Sequence, residues 1–359
     1  MQKVLVGMSG GVDSTVCAII LKEKGYNVSG ATMAIWGNRE IKGMAIQKGH
    51  KDSCFKPNEK EDIDAARNIA QSIDIPYYVL DCADDYEEIV LKYFKDEYLS
   101  GRTPNPCVWC NALIKFGALP KMAHKAGIEF DKFATGHYAR VGFEEGRYFL
   151  KQGIDKTKDQ SYFLYRLSQE QLEHIILPLG NYSKNQIRDI ARNHGLEVAD
   201  KRDSQDFYSG DYNELLNIKE KKGYIKNTEG KILGEHKGIW NYTIGQRKGI
   251  GISAPEPLYV LSLNKEDNTV VVGPRDKTFK KQLTATNLNF VSKEEIPEDV
   301  QLSAKFRSTQ IPQNAEVKVE NGIMTVVFEE YQKSIAPGQS VVIYRDDLVI
   351  AGGVIESAQ

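Results

Sequence analysis

Over its first 140 residues the chain alternates short apolar runs with stretches in which apolar residues recur at helical spacing. Residues 4–8 read as a strand that runs into a Gly-Gly turn, and residues 14–24 as a helix that Gly25 ends. Residues 28–36 form a second strand. Residues 61–73 are amphipathic, with Ile63, Ala66, Ile69 and Ala70 on one face, and 77–82 make a third strand. Residues 86–99 and 107–126 have helical patterns, and 132–139 read as another strand. Strands alternating with helices predict an α/β fold, a parallel sheet with helices on both faces. Ligands of such sheets sit beyond the carboxyl ends of the strands.

The pattern changes after about residue 205. Residues 213–226 suggest one last helix. Beyond it, short alternating segments at 269–272, 302–306, 317–319, 324–328 and 341–344 read as antiparallel strands, with ENG at 320–322 and RDD at 345–347 as turns. The C-terminal third is therefore expected to be a small β-barrel or sandwich. No internal repeat or low-complexity segment is evident.

The 359 residues favour two or three domains. A composition of 41% hydrophobic and 27% charged residues is that of a globular chain. No apolar run suits a membrane span, and MQKVLVGMSGG does not read as a signal peptide. Five cysteines without such a signal point to a reducing, cytoplasmic setting rather than a disulfide framework. A net charge of −2 does not mark a nucleic-acid binder, so any RNA site has to be a local basic patch.

The string GMSGGVDS at 7–14 joins the first strand to the first helix. It lacks the GK[ST] ending of a Walker loop and the spacing of a dinucleotide fingerprint. Gly10 and Gly11 permit a tight turn that aims backbone N–H groups at an anion, and the helix start behind them adds positive potential. Ser9 and Ser14 can donate to phosphate oxygens, and Asp13 can help hold a magnesium ion. The string SGGVDS resembles the pyrophosphate loop (PP-loop) of ATP pyrophosphatases, which split ATP into AMP and pyrophosphate.

Further strings narrow the resemblance: GRTPNPCVWCNALIKFG at 101–117, FATGHYAR at 133–140, TKDQSYFLYRL at 157–167, LPLGNYSKNQIRDIA at 177–191, KRDSQDF at 201–207, YTIGQRKGIGI at 242–252, PLYVLSLN at 257–264 and APGQSVVIY at 336–344. In that order they resemble the bacterial tRNA-specific 2-thiouridylases over essentially the whole chain. The resemblance implies a PP-loop ATP-binding catalytic domain at 1–207, a small central tRNA-contacting domain at 208–276 and a C-terminal β-barrel at 277–359. It implies a transferase that replaces the C2 oxygen of the wobble uridine with sulfur in tRNAs for glutamate, glutamine and lysine. ATP, with Mg2+, adenylates that oxygen, and a protein-borne sulfur attacks C2.

Carried over, the resemblance assigns Gly7, Met8, Ser9, Gly10, Gly11, Val12, Asp13, Ser14, Met33 and Gly136 to ATP, with Asp13 also counted as catalytic. It assigns Asn105, Pro106 and Cys107 to the target base and Cys110 to the nucleophile, with Cys107 beside it. Lys158, Asp159, Gln160, His137 and Gln339 fall at tRNA contacts. Arg307 and Ser308 fall where the family usually has Arg-Tyr, and Ser308 departs from that pattern.

The residues themselves speak partly to these roles. Pro106 suits a helix start, which would put Cys107 and Cys110 near a helix N-terminus that favours thiolate. Asp159 with the following residues equally suits a capped helix start, and His137 on its own suits a structural histidine at a strand end better than an RNA contact. Cys17 and Cys82 lie on apolar runs and read as core residues. No second ligand pair accompanies the C-x-x-C, so zinc is not expected.

The family pattern D-S-Q-D-I-C-F carries a second, persulfide-bearing cysteine. Here DSQDFYSGDY places Tyr208 at that position, and a phenol cannot carry a persulfide. Three readings follow: Cys107 or Cys54 replaces the missing thiol; Cys107 and Cys110 ligate an iron–sulfur cluster that accepts sulfide, with Cys54 as a further ligand; or the chain binds tRNA and ATP with an impaired site. The sulfur source is then either a persulfide donor protein or sulfide. A small-molecule PP-loop synthetase accounts for the loop but leaves TPNPCVWCN and the β-rich third unexplained.

Overall fold

A computed structural model describes residues 1–37, 53–196, 207, 208 and 210–359 of the chain. The DSQD string at 203–206 lies outside the described residues. The chain divides into two compact units, one of Met1–Val90, Cys107–Glu214 and Asp347–Val349, the other of Leu91–Pro106, Leu215–Asp346 and Ile350–Gln359.

The first unit is built on a parallel sheet. Strand β1 (Lys3–Gly7) leads into helix α1 (Val12–Glu23), β2 (Asn27–Ala34), α2 (Glu59–Ser72), β3 (Tyr77–Asp81) and α3 (Ala83–Tyr86). After α4 (Lys92–Leu99), which belongs to the second unit, α5 (Pro106–Trp109) and α6 (Leu119–Lys125) come β4 (Lys132–Thr135), the hairpin β5 (Ala139–Glu144) and β6 (Arg147–Gln152), helix α7 (Gln169–Glu173), β7 (Ile175–Ile176) and α8 (Lys184–Asn193). The sheet order is β3-β2-β1-β4-β7. Val6 stands opposite Gly30 on one side and Ala134 on the other. Val4, Leu5 and Val6 are all buried, as both faces of a covered parallel sheet require. Because β2 and β4 flank β1 on opposite sides, the sheet reverses its direction of growth there. That leaves a crevice beyond the carboxyl ends of β1 and β4.

The stretch 107–126 reads as one helix but is three segments: α5, a π-helical run Cys110–Ala118, and α6. Pro120 has no N–H to offer the carbonyl four residues back, that of Phe116. Gln171 Nε2 donates to that carbonyl at 3.0 Å and to the Ala112 carbonyl at 2.7 Å. The same side chain closes the capping box of α7 with Ser168, so one glutamine fastens two helical segments. The stretch 86–99 is likewise broken, by a π turn at Glu87–Leu91.

The helix expected over 213–226 is corrected by the structure. Helix α9 (Tyr212–Leu216) is short, Asn217 takes a left-handed φ of 46°, and Gly223–Lys226 is strand β8. IKEKK at 218–222 offers no apolar face to carry the helix on.

In the second unit, β8 joins β9 (Ile232–His236), β10 (Tyr259–Asn264) and β11 (Thr269–Gly273) in the order β10-β11-β8-β9. The strands β12 (Phe279–Phe290), β13 (Leu302–Lys305), β14 (Gln313–Glu320), β15 (Ile323–Lys333), β16 (Ser340–Arg345) and β17 (Leu348–Ala358) follow in the order β12-β15-β14-β13-β16-β17. Pairing of β12 with β17 closes them into a barrel, which decides between barrel and sandwich. At the ENG turn, Asn321 and Gly322 take φ of 51° and 76° between paired Glu320 and Ile323, the left-handed pair a two-residue hairpin demands. Among the described residues no helix is long and apolar enough to cross a membrane.

Replacing Gln171 with Ala leaves buried carbonyls without their side-chain donor. It is expected to lower stability by about 2 kcal/mol in urea unfolding, with an unchanged m-value.

Candidate active site

The PP-loop lies in the crevice at the end of β1. Gly10 takes a φ of 70°, and a Cβ there would come within 2.9 Å of the Asp62 carbonyl on α2. Gly11 is the N-cap of α1 and supplies no side chain, so the first N–H groups of the helix face the crevice uncapped. Ser14 Oγ accepts from the Ser9 N–H at 3.2 Å and donates to the Gly11 carbonyl at 3.2 Å, holding the loop in its turn. Met8 and Val12 are core residues that anchor it. Gly136, just past β4, abuts the loop from the other side. A Cβ there would meet the Asp13 carbonyl carbon at 2.7 Å and the Ser14 nitrogen at 2.8 Å. Met33 lies half-buried at the carboxyl end of β2.

Asp13 is held on two sides. Both its carboxylate oxygens accept from Lys184 Nζ at 2.8 Å, and the Tyr138 hydroxyl donates to one of them at 2.8 Å. Lys184 is 6% exposed at its side chain and Asp13 25%. A magnesium ion arriving with ATP would therefore meet a carboxylate whose charge is already balanced, though one with lone pairs to spare. Lys184 escaped the sequence reading. Its one signal is spacing: Lys184, Ile187 and Ala191 are the buried positions of α8, at i, i+3 and i+7, so the lysine sits on the apolar face.

The KDQ segment connects to the same network. Gln160 Oε1 accepts from the Tyr138 N–H at 2.9 Å, and the Gln160 N–H donates to the Tyr138 carbonyl at 2.9 Å. Asp159 is buried and accepts from Gln152 Nε2, the Gly153 N–H and both the N–H and hydroxyl of Ser161. These bonds hold it one residue before Gln160, the N-cap of the 3-10 turn Ser161–Leu164. Lys158 is half-buried beside it.

Cys110 opens the π segment and is half-buried, as is Cys107. Its thiol is not pulled towards thiolate. Desolvation pushes the pKa up to about 11, the positive charge of Lys115 opposes this, and the neighbouring Cys54 adds to it. The expected helix-terminal assistance fails because α5 is only four residues long and Cys110 lies past its end. Lys115 reaches Cys110 because i→i+5 bonding stacks residues five apart, which an α-helix would splay. Cys82 is buried, with its pKa pushed up to about 12 chiefly by desolvation.

Tyr208 is buried in an aromatic cluster. Burial pushes its pKa upward, and the hydrogen bond its hydroxyl donates to Glu214 adds to that. Its ring lies 6.4 Å from Phe55, and Phe55 stacks on Phe207 at 6.1 Å and on Tyr86 at 5.3 Å.

His137 is buried. Its Nδ1 is 2.7 Å from the Thr135 hydroxyl, and its ring packs against Phe116. Desolvation, aided by Lys115, holds its pKa well below 6.5, so the ring is neutral at physiological pH. In the second unit, the Asn105 N–H donates to the Tyr93 hydroxyl at 3.1 Å, and Pro106 begins α5. Gln339 Nε2 donates to the Pro104 carbonyl at 2.8 Å and the Thr103 carbonyl at 3.2 Å. Arg307 is exposed and donates to the Ser334 carbonyl at 2.6 Å, with Ser308 half-buried next to it. Among the described residues no group of three His, Cys, Asp or Glu side chains is arranged to hold a metal ion.

Lys184→Met strands a partly buried carboxylate. A loss of about 2–3 kcal/mol is expected, below the range for a fully buried pair because Asp13 is partly solvated. Adding Asp13→Asn should then cost less than it does alone, a coupling that a double-mutant cycle measures. Alkylation of Cys110 by iodoacetamide should climb about tenfold per pH unit up to about pH 10. A plateau near neutrality would mean that the thiol ionises early.

The model described as the tRNA methyl transferase HUP domain matches residues 2–208. Models described as the tRNA methyl transferase PRC-barrel domain and the aminomethyltransferase beta-barrel domain match 215–274 and 280–355. The chain is 46% identical to tRNA-specific 2-thiouridylase MnmA of Endomicrobium trichonymphae, over 99% of each chain. It is 44% identical to the protein of that name from Acetivibrio thermocellus and 43% to that from Clostridioides difficile, again over 99% of each chain. Likeness of this extent settles the matter: the chain belongs to the tRNA-specific 2-thiouridylase family.

Proposed function

We propose that this protein is a tRNA-uridine 2-sulfurtransferase that spends ATP to replace the C2 oxygen of a wobble uridine with sulfur. The observation that carries the reading is the presence, within one compact unit, of an anion-binding loop at the end of β1 and a half-buried thiol, Cys110. Membership of the 2-thiouridylase family gives that pairing its substrate.

In this reading the loop of Gly7–Gly11 and Ser14 receives the ATP phosphates at the N-terminus of α1. Lys184 fixes Asp13, and Gly136 leaves room for the loop backbone. Adenylation turns the C2 oxygen into a good leaving group, and AMP departs when sulfur attacks. Cys110 serves as nucleophile. Its high pKa keeps it protonated until substrate closes over the site, while the small thiolate fraction is strongly nucleophilic. Asn105, Pro106 and Cys107 meet the base. Lys158, Asp159, Gln160, His137, Arg307, Ser308 and Gln339 are the proposed tRNA contacts, and His137 takes its part as a neutral, buried ring. The reading extends to tRNAs for glutamate, glutamine and lysine, to a persulfide or sulfide source and to a cytoplasmic location. It divides the chain at 1–207, 208–276 and 277–359.

A second reading, a tRNA- and ATP-binding protein with an impaired sulfur relay, draws on Tyr208, which is buried and which the family resemblance aligns with the second cysteine. An iron–sulfur cluster on Cys107 and Cys110 has less behind it, since the described residues form no three-ligand group.

In vitro thiolation of an unmodified lysine tRNA transcript with ATP separates these readings. The wild type should form 2-thiouridine at the wobble position and release pyrophosphate. Cys110→Ser should lose the product while keeping tRNA binding within about twofold, as expected when a transition-state contact alone is removed. Product formation near the wild-type level in that variant would reject Cys110.

A further inference from the structure

Ser53, Phe55 and Lys56 are among the most buried residues of the first unit, at 1%, 0% and 5% exposure, yet Cys54 between them is exposed. Solvation of that one residue is not loop disorder, because its neighbours are tied down on three sides. Lys56 Nζ pairs with Asp62 of α2 at 2.6 Å. The Phe55 N–H donates to the Phe207 carbonyl at 3.0 Å, and the Phe55 ring is enclosed by Trp36, Tyr86, Phe207 and Tyr208. The Cys54 loop is thus stapled to the backbone immediately before Tyr208. It is also tied to the other thiol: Tyr86 ends α3, and α3 packs on the π segment that begins with Cys110.

We propose that Cys54 is the sulfur-accepting thiol of this protein and works as a pair with Cys110. The inference rests on the thiolation reading and supplies the residue that Tyr208 cannot provide. Three features support it. Cys54 is the exposed member of the cysteine set, so an external donor meets it first. It is close enough for its charge to raise the pKa of Cys110. Cys82, the thiol at the start of α3, is 1% exposed and out of a donor's reach.

The chemistry balances as follows. The Cys54 thiolate attacks the outer sulfur of a donor persulfide, R–S–SH, giving Cys54–S–SH and releasing R–S⁻. After loss of its proton, the terminal sulfur attacks C2 of the adenylated uridine. The C2–O bond breaks and AMP leaves with that oxygen. The Cys110 thiolate then attacks Cys54 Sγ, forming a Cys54–Cys110 disulfide and releasing the 2-thiouridine anion, which takes up a proton. The sulfane sulfur gains the two electrons that the two thiols lose. An external dithiol reductant returns the pair to the thiol state before the next cycle.

The test uses the full-length protein, stripped of iron with a chelator and supplied with glutathione persulfide, ATP, magnesium and lysine tRNA transcript, without reductant. Three quantities are read: 2-thiouridine, pyrophosphate, and disulfide-linked peptides. Wild-type protein should yield one turnover and a Cys54–Cys110 peptide. Cys54→Ser should lose 2-thiouridine while still releasing pyrophosphate on tRNA addition, which shows a folded, adenylating enzyme. Thiolation by Cys54→Ser at the wild-type level overturns the proposal, as does a disulfide joining Cys110 to Cys107, or loss of wild-type turnover on chelation that iron restores. A wild type that neither thiolates nor releases pyrophosphate, with or without iron, overturns instead the thiolation reading on which the proposal stands.

Discussion

The contact on which the nucleotide site depends is the ion pair between Lys184 and Asp13. A lysine ammonium at 6% exposure has no place in a protein interior without a partner, so α8 can dock its apolar face only where a carboxylate awaits it. That carboxylate belongs to the first turn of α1. Ile187 and Ala191 of α8 share one core with Val16, Cys17 and Ile20 of α1. Packing of the two helices and the position of the PP-loop are therefore a single event. Tyr138 and Gly136, which follow β4, complete the frame by holding the same aspartate and by leaving space for its backbone. The loop's conformation is dictated by elements about 125 and 171 residues distant in sequence rather than by its glycines alone.

Around the thiols the dominant effect is desolvation. Cys110 pays for its half-buried place with a raised pKa, against which Lys115 acts only because the helix there is π-wound. Near the far end of that segment Pro120 removes a donor, and Gln171 satisfies the carbonyl left open. The same lysine helps keep His137 neutral, so its charge is felt at two buried groups while the ring stays out of acid–base work near neutral pH.

The aromatic cluster around Phe55 defines the setting of Tyr208. Tyr208 is not a solvent-facing phenol. It is a core ring whose hydroxyl is committed to Glu214. What it does is fasten the backbone of residue 207 against the loop that carries Cys54.

Local pattern was enough for the alternating strands and helices of the first unit, the glycine turn after β1, the left-handed ENG hairpin and the β-rich C-terminal third, because each depends on periodicity or on the φ preferences of a few neighbouring residues. The ordered strings were enough for the family. Barrel closure was not legible, since pairing of β12 with β17 is a long-range choice with no local signature. Nor was the end of α9, where a run of charged residues still resembled a helix. At the site, the chemistry-bearing residue types were readable, but their states were not. The pKa of Cys110, the burial of His137 and Asp159, the commitment of Asp13 to Lys184 and the stapling of Cys54 beside Tyr208 all arise from groups far apart in sequence. Desolvation and charge pairing act through space, and only the folded chain fixes which groups they join.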